Sequence, residues 1–172
     1  MGAALTVGRH LRPSPDRPRD LLVGVGGIGT GLFFDLEGDH TLGREESRPG
    51  RLRDVRDYCK LHIIAHYIAV LLGARPSGRP FRAVPVGKVG DDAAGRRLRE
   101  EMAEAGMDTS LVEAVPGQPT LLGVCFQYPD GSGGNITPTV SAASTLTAAD
   151  VDRAAPLLAA HAGRGIALAA PE

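Results

Sequence analysis

The chain has 172 residues, 42% of them hydrophobic, with 19 basic and 20 acidic side chains for a net charge of −1. That length suits one domain with a real core, and the balanced charge excludes a broad basic surface for nucleic acid or an anionic membrane. Two cysteines, Cys59 and Cys125, exclude a disulfide framework, and no apolar run approaches the ~18 residues of a membrane span, so a reducing cytoplasm is the expected compartment.

Residues 1–19 carry Arg9, Arg12, Arg17 and Arg19 among Pro13, Pro15 and Pro18, without the apolar stretch of a signal peptide. They read as a disordered leader, with residues 20–172 as the domain. "LLVGVG" at 21–26 reads as a buried strand, and "LFFDLEG" at 32–38 as a short second one. Residues 38–52 are polar and rich in turn formers, which predicts a loop or an exposed strand. "YCKLHIIAHYIAVLLGA" at 58–74 is the clearest helix. It is apolar over most of its surface, so it should be largely buried, and Gly73 stands where a C-terminal cap belongs.

A strand is expected over 79–90, followed by a helix over 91–106 that Asp91 caps. Ala94, Leu98, Met102 and Ala105 would form its inner stripe, with Arg96–Glu100 and Arg97–Glu101 one turn apart outside. Strands follow at 110–115 and 120–128, then a turn at 129–134 leading into "NITPTV". Thr147 and Asp150 open a helix over 147–161 as a loose capping box, Pro156 kinks it, and "GIALAA" at 165–170 is a last strand. Helices alternating with apolar strands imply an α/β fold with a mainly parallel sheet.

"GVGGIGTG" at 24–31 matches the spacing G-x-G-x-x-G. A dinucleotide-binding turn needs a helix springing from the third glycine, because the pyrophosphate sits on that helix's N-terminus. Here Thr30-Gly31-Leu32-Phe33-Phe34 prefers extended structure, and no uninterrupted helix of ten residues fits before residue 58. The expectation is therefore an extended chain after Thr30. Two readings of the glycines stay open: a tight strand-to-strand crossing, or room for a ligand at a strand end. A nicotinamide-dependent oxidoreductase is the weaker alternative.

The segment "VPVGKVGDDAAGRRLREEMAEAGMDTSLVEAVPGQPT" at 84–120 resembles the ribokinase-like (PfkB) carbohydrate kinases. The matching pieces are Gly87, Val89, Gly90, Asp91, Asp92, Gly95 and Ala105-Gly106-Met107-Asp108-Thr109. Pro119-Thr120, Asp130-Gly131 and Leu146-Thr147-Ala148-Ala149-Asp150-Val151 continue the likeness in order. The resemblance implies part of a ribokinase-like three-layer α/β sandwich, with a small β lid from strands around 30–52 and 118–140. It implies ATP-dependent phosphoryl transfer to a hydroxyl of a sugar or sugar-like molecule, with ATP and Mg²⁺ as cofactors. A homodimer through the lid strands is the partner it implies. The family's catalytic Asp lies in a Gly-Ala-Gly-Asp motif that this chain lacks, so no catalytic residue is assigned here. The chain looks like the N-terminal portion of such a kinase and is expected to be inactive alone.

The sequence departs from the family where sugar contacts are usual. Gly29 and Gly31 stand in place of an Asn and an Asp, and Cys59, Lys60 and Ile64 in place of Gly-Gly and a following Asn. The candidate substrate-binding set is Gly27, Gly29 and Gly31 as floor, Lys60 and His62 as one side, and Asn135 and Thr137 from the lid. Lys60 is suited to an anionic group on a substrate, although a lone lysine is more often surface charge. Cys59, His62 and His66 share a helix face; a metal site, a pocket lining and a plain polar stripe are all compatible with that spacing. No metal ligand is assigned. A non-catalytic binding or assembly module remains the alternative to a kinase.

Overall fold

The computed structural model describes residues 19–53, 57–77 and 80–171; the expected leader lies outside the described residues except for Arg19. The chain begins with β1 (Leu21–Gly26), β2 (Gly29–Leu36), β3 (Gly50–Leu52) and β4 (Asp57–Tyr58), then α1 (Lys60–Leu72) and β5 (Arg82–Gly90). It continues through α2 (Ala93–Glu104), β6 (Val112–Val115), β7 (Leu121–Gln127) and β8 (Gly133–Ile136). The last elements are α3 (Ala148–Asp152), α4 (Ala155–Ala160) and β9 (Gly165–Ala170).

The strands form two sheets. The first has the order β6-β5-β1-β9, and every pairing in it is parallel. Its strands are apolar on both faces because both are covered. Leu22 and Ala83 face α1 and α2, in a cluster with Leu61, Ala65, Leu98 and Met102. Leu21, Val23, Val84 and Val86 face the other way, onto Ala154, Leu157 and Leu158 around α4. Helices on both faces of a parallel sheet make three layers, the α/β architecture that the alternation of elements predicts. The second sheet has the order β3-β2-β7-β8, with β4 also on β2; β2 and β7 run parallel and the other pairs antiparallel.

The chain runs extended through Thr30 to Leu36, as expected, and no helix springs from Gly29. The structural requirement for a pyrophosphate-binding turn is therefore missing. Several local expectations need correction. The 58–74 helix is shorter, because residues 57–58 pair with β2 instead. It is also less buried: only Leu61, His62, Ala65 and Ala69 face the sheet, while Tyr67 is 66% and Leu71 47% exposed. A helix on one face of a sheet buries one stripe, and an all-round apolar sequence does not change that geometry. Gly73 caps it as expected, in the left-handed region at φ 64°.

Asp92, not Asp91, is the N-cap of α2, its carboxylate accepting from the Gly95 N–H. Asp91 sits one residue further out and pairs with Arg96 at 3.6 Å. The buried stripe of α2 accordingly runs through Gly95, Leu98 and Met102 rather than Ala94. Arg97 does pair with Glu101, at 3.8 Å. The single helix expected over 147–161 is two, α3 and α4. Thr147 and Asp150 close the expected capping box, and Pro156 stands in the first turn of α4. Proline lacks the N–H that a helix interior uses, so it starts a new helix rather than bending an old one. β8 begins at Gly133, inside the expected 129–134 turn.

Candidate functional site

β2 and β7 lie side by side with Gly29 opposite Leu121, Gly31 opposite Gly123, and Phe33 opposite Cys125. On the other side of β7, Cys125 stands opposite Asn135 of β8. Side chains alternate along a strand, so Gly31, Gly123, Cys125 and Asn135 share one face of the second sheet. A β-carbon placed on Gly123 would meet nothing within 4 Å. The middle of this face is therefore bare backbone with open space above it.

A cavity of about 140 Å³ occupies that space, with Tyr58, Cys59, Lys60, Gly123, Asn135 and Thr137 in its lining. A larger cavity of about 410 Å³ adjoins it. Gly26, Gly27 and Ala169 contribute from the carboxyl ends of β1 and β9, and Thr137, Ser141 and Ser144 from the opposite wall. Leu121 and Thr137 line both cavities, so the two form one elongated site. Ligands of open parallel sheets lie at the carboxyl ends of the strands, which is where the larger cavity opens.

Two hydrogen-bonded braces hold the walls. Asp92 accepts from Thr120 N–H at 2.8 Å, Thr120 Oγ1–H at 2.6 Å and Gly95 N–H at 2.8 Å. Burial works to raise the Asp92 carboxyl, but these donors outweigh it and hold it below the usual carboxylate range. Thr120 Oγ1 in turn accepts from the Gly90 N–H at 2.9 Å, so the start of β7 is bolted to the end of β5 and the start of α2. Lys88 of β5 reaches Asp150 at 3.0 Å and donates to the Thr145 carbonyl at 3.2 Å, fixing the segment that carries Ser141 and Ser144. Thr147 O–H and Lys88 hold Asp150 down to about 2.

The structure brings Gly27, Lys60, Asn135 and Thr137 together around the elongated site. Gly31 supplies backbone beside Gly123. Gly29 is packed shut, since a β-carbon there would stand 2.5 Å from the Leu121 carbonyl oxygen and 2.8 Å from Cys59 Sγ. His62 is also placed deeper than the sequence expectation. It is fully buried, stacked at 4.0 Å on Tyr58, and its two ring nitrogens have no hydrogen-bond partner among the described residues. Burial, with a smaller contribution from the nearby His66, pushes its pKa down to about 4, so it is neutral at neutral pH. His62 reaches the site only through Tyr58, the ring it backs. Among the described residues no trio of His, Cys, Asp or Glu side chains gathers to hold a metal ion, so Cys59, His62 and His66 do not converge.

Gly123, Ser141 and Ser144 escaped the sequence reading. A glycine inside the apolar run "LLGVC" is a signal for close approach of something to a strand, and it was the available clue. Chemically the site offers hydroxyls, one carboxamide, two thiols and one ammonium group. Among the described residues, no Asp, Glu or His lines either cavity.

The fold is similar to part of the ribokinase fold. A Giardia lamblia ribokinase superposes with a TM-score of 0.61 at 20% identity, over 83% of this chain and 39% of the other. A putative ribokinase II from E. coli gives 0.60 at 16% identity, over 83% and 40%. An Arabidopsis thaliana ribokinase complexed with ribose and ATP gives 0.52 at 22% identity, over 72% and 37%. The chain thus spans about two-fifths of the length of each. No family model matches the sequence, and no curated protein matches it. At these identities the likeness establishes the fold: a mixed α/β, ribokinase-like arrangement, present in part. No helix among the described residues is long and apolar enough to cross a membrane.

Proposed function

We propose that this chain forms the acceptor-binding part of a kinase that transfers the γ-phosphoryl group of ATP to a hydroxyl of a sugar-like small molecule. The observation that carries this reading is the open backbone floor at Gly123, beside Gly31 on the paired strand and near the carboxyl ends of a parallel sheet of ribokinase-like topology. A flat acceptor lies against that floor. Asn135 and Thr137 reach its hydroxyls from the second sheet, which acts as a lid, and Tyr58 and Lys60 close the side. The thermodynamic role of the chain is to position the acceptor; holding a hydroxyl in line for attack is a large share of what a phosphoryl-transfer enzyme contributes.

ATP and Mg²⁺ are assigned no binding residues on this chain. The described residues gather no metal-ligating trio, and the larger cavity is lined by glycines, hydroxyls and apolar side chains without a cation. No chemical step is assigned to either group on this chain. The expected behaviour is acceptor binding without turnover. Purified protein mixed with Mg²⁺-ATP and a panel of sugars should release no ADP beyond the protein-free control. Calorimetry on the same panel should detect at least one binder whose affinity falls in Gly123→Val. Sustained, sugar-dependent ADP release would contradict the assignment of catalysis to residues outside this chain.

A further inference from the structure

The parallel sheet ends at β9, and no described residue pairs with the outer edge of that strand. The six residues of β9, Gly165–Ala170, include no charged side chain and no proline. Charges and prolines are what usually keep an exposed edge from pairing with another chain. The opposite edge shows the contrast: β6 is four residues long and carries Glu113, which pairs with Arg153. On β9, Ile166 is 44% exposed and shares a face with Leu168, which packs into the cluster under α1. α1 packs over β1 and β9, and after Lys60 it has no charged residue. Ile64, Tyr67 and Leu71 form an exposed apolar stripe along it, in the same layer as Ile166. About three-fifths of each ribokinase compared above has no counterpart in this chain.

We infer that two copies of this chain join edge to edge through β9, antiparallel about a two-fold axis, into one eight-stranded sheet. An axis normal to the sheet keeps each face continuous, so residues opposite each other belong to the same face. With Ala167 on the axis, Ile166 of each copy meets Leu168 of the other on the α1 side, and the contact is made twice. Cross-strand apolar pairs of that kind stabilise an antiparallel ladder. The paired span contains no charged residue, so the contact buries no charge. Arg164, just outside it, is held by Asp20 at 2.7 Å. Docking on β6 instead would set the uncharged edge against the charged one, and its head-to-tail repetition would build an open filament. The joined strands run oppositely, so the two larger cavities, each lined by its own Ala169, open at opposite ends of the sheet. The pairing involves no ligand and stands apart from the acceptor reading.

Size exclusion with light scattering on the purified chain should give twice the 17.9 kDa chain mass. Ala167 is exposed, so Ala167→Lys and Ala167→Glu should both fold, which circular dichroism checks. Each sets two like charges opposite each other on the axis and should run as a monomer. Mixing the two variants should restore the dimer, a result that misfolded variants would not give. Ile136→Lys puts the same charge on an exposed edge of the second sheet and should leave the dimer whole. A parent that is monomeric at every concentration, or that forms open-ended assemblies, overturns the inference. So does a dimer that survives Ala167→Lys or is lost in Ile136→Lys.

Discussion

The two sheets are stabilised in different ways. In the parallel sheet, Leu21, Leu22, Val23, Ala83, Val84 and Val86 are all at most 2% exposed, and helices cover both faces. In the second sheet every residue of β3 and β8 is exposed, and Leu32, Leu52 and Ile136 turn 42%, 53% and 66% of their surface to solvent. That sheet is held by backbone pairing and by polar links such as Asp35 with Arg51 and Arg53, whose guanidinium also lies 4.5 Å over the Phe33 ring. The lesson concerns division of labour. A sheet that owes its stability to side-chain burial cannot spare its faces, whereas one held at its edges and polar links can leave a backbone floor uncovered for a ligand.

The largest expected effect tests that division directly. Phe81 is 1% exposed under the parallel sheet, and Phe81→Ala should cost about 3–5 kcal/mol. Leu32→Ala on the second sheet should cost well under about 1 kcal/mol, since its side chain is already half in water. Urea unfolding compares them, and similar losses would erase the distinction.

Next comes a contrast within one sheet face. Gly29→Ala forces a methyl group against the Leu121 carbonyl and Cys59 Sγ, and should destabilise by about 1–3 kcal/mol. Gly123→Ala points its methyl into open space and should stay within about 0.5 kcal/mol of the parent. Thermal melts of the pair check this. Equal destabilisation would mean that the floor is as closed as its neighbour.

These two glycines also mark the limit of what the sequence shows. The chain through Thr30 reads as extended from local preference alone, and the glycine floor was sought at Gly27, Gly29 and Gly31. Which glycine is open depends on where β7 docks, a register between segments some ninety residues apart, and local patterns do not encode it. The burial of β1 and, on α2, that of Leu98 and Met102 were legible because periodicity reports a single element's faces. The burial of α1 was not, because apolar residues around most of its circumference leave the buried face unspecified. Asn135 and Thr137 were placed at the site by resemblance, and the cavity lining contains both. His62 was misplaced by one layer for the same reason as α1: helix spacing gives a shared face but not its direction.

At neutral pH the titration of His62 has the smallest expected effect, and it grows only on the acid side. Its folded pKa, about 4, lies below the ordinary value of 6.5, so the unfolded chain binds the proton more readily. Stability attributable to this residue is therefore constant above pH 6.5 and falls as pH drops from 6.5 towards 4. Chemical denaturation across that window should show a shallower acid loss in His62→Phe, which keeps a ring against Tyr58 without a titrating group. An unchanged slope would place His62 in contact with water rather than in the core.

The most direct test of the central claim is a backbone NMR titration of the chain with ribose. Shift changes should concentrate on the amides of Gly31, Tyr58, Lys60, Gly123, Asn135 and Thr137, all on or beside one face of the second sheet. Changes confined to the opposite face, around Leu32 and Leu122, would show that the bare glycine floor is not where a ligand lies.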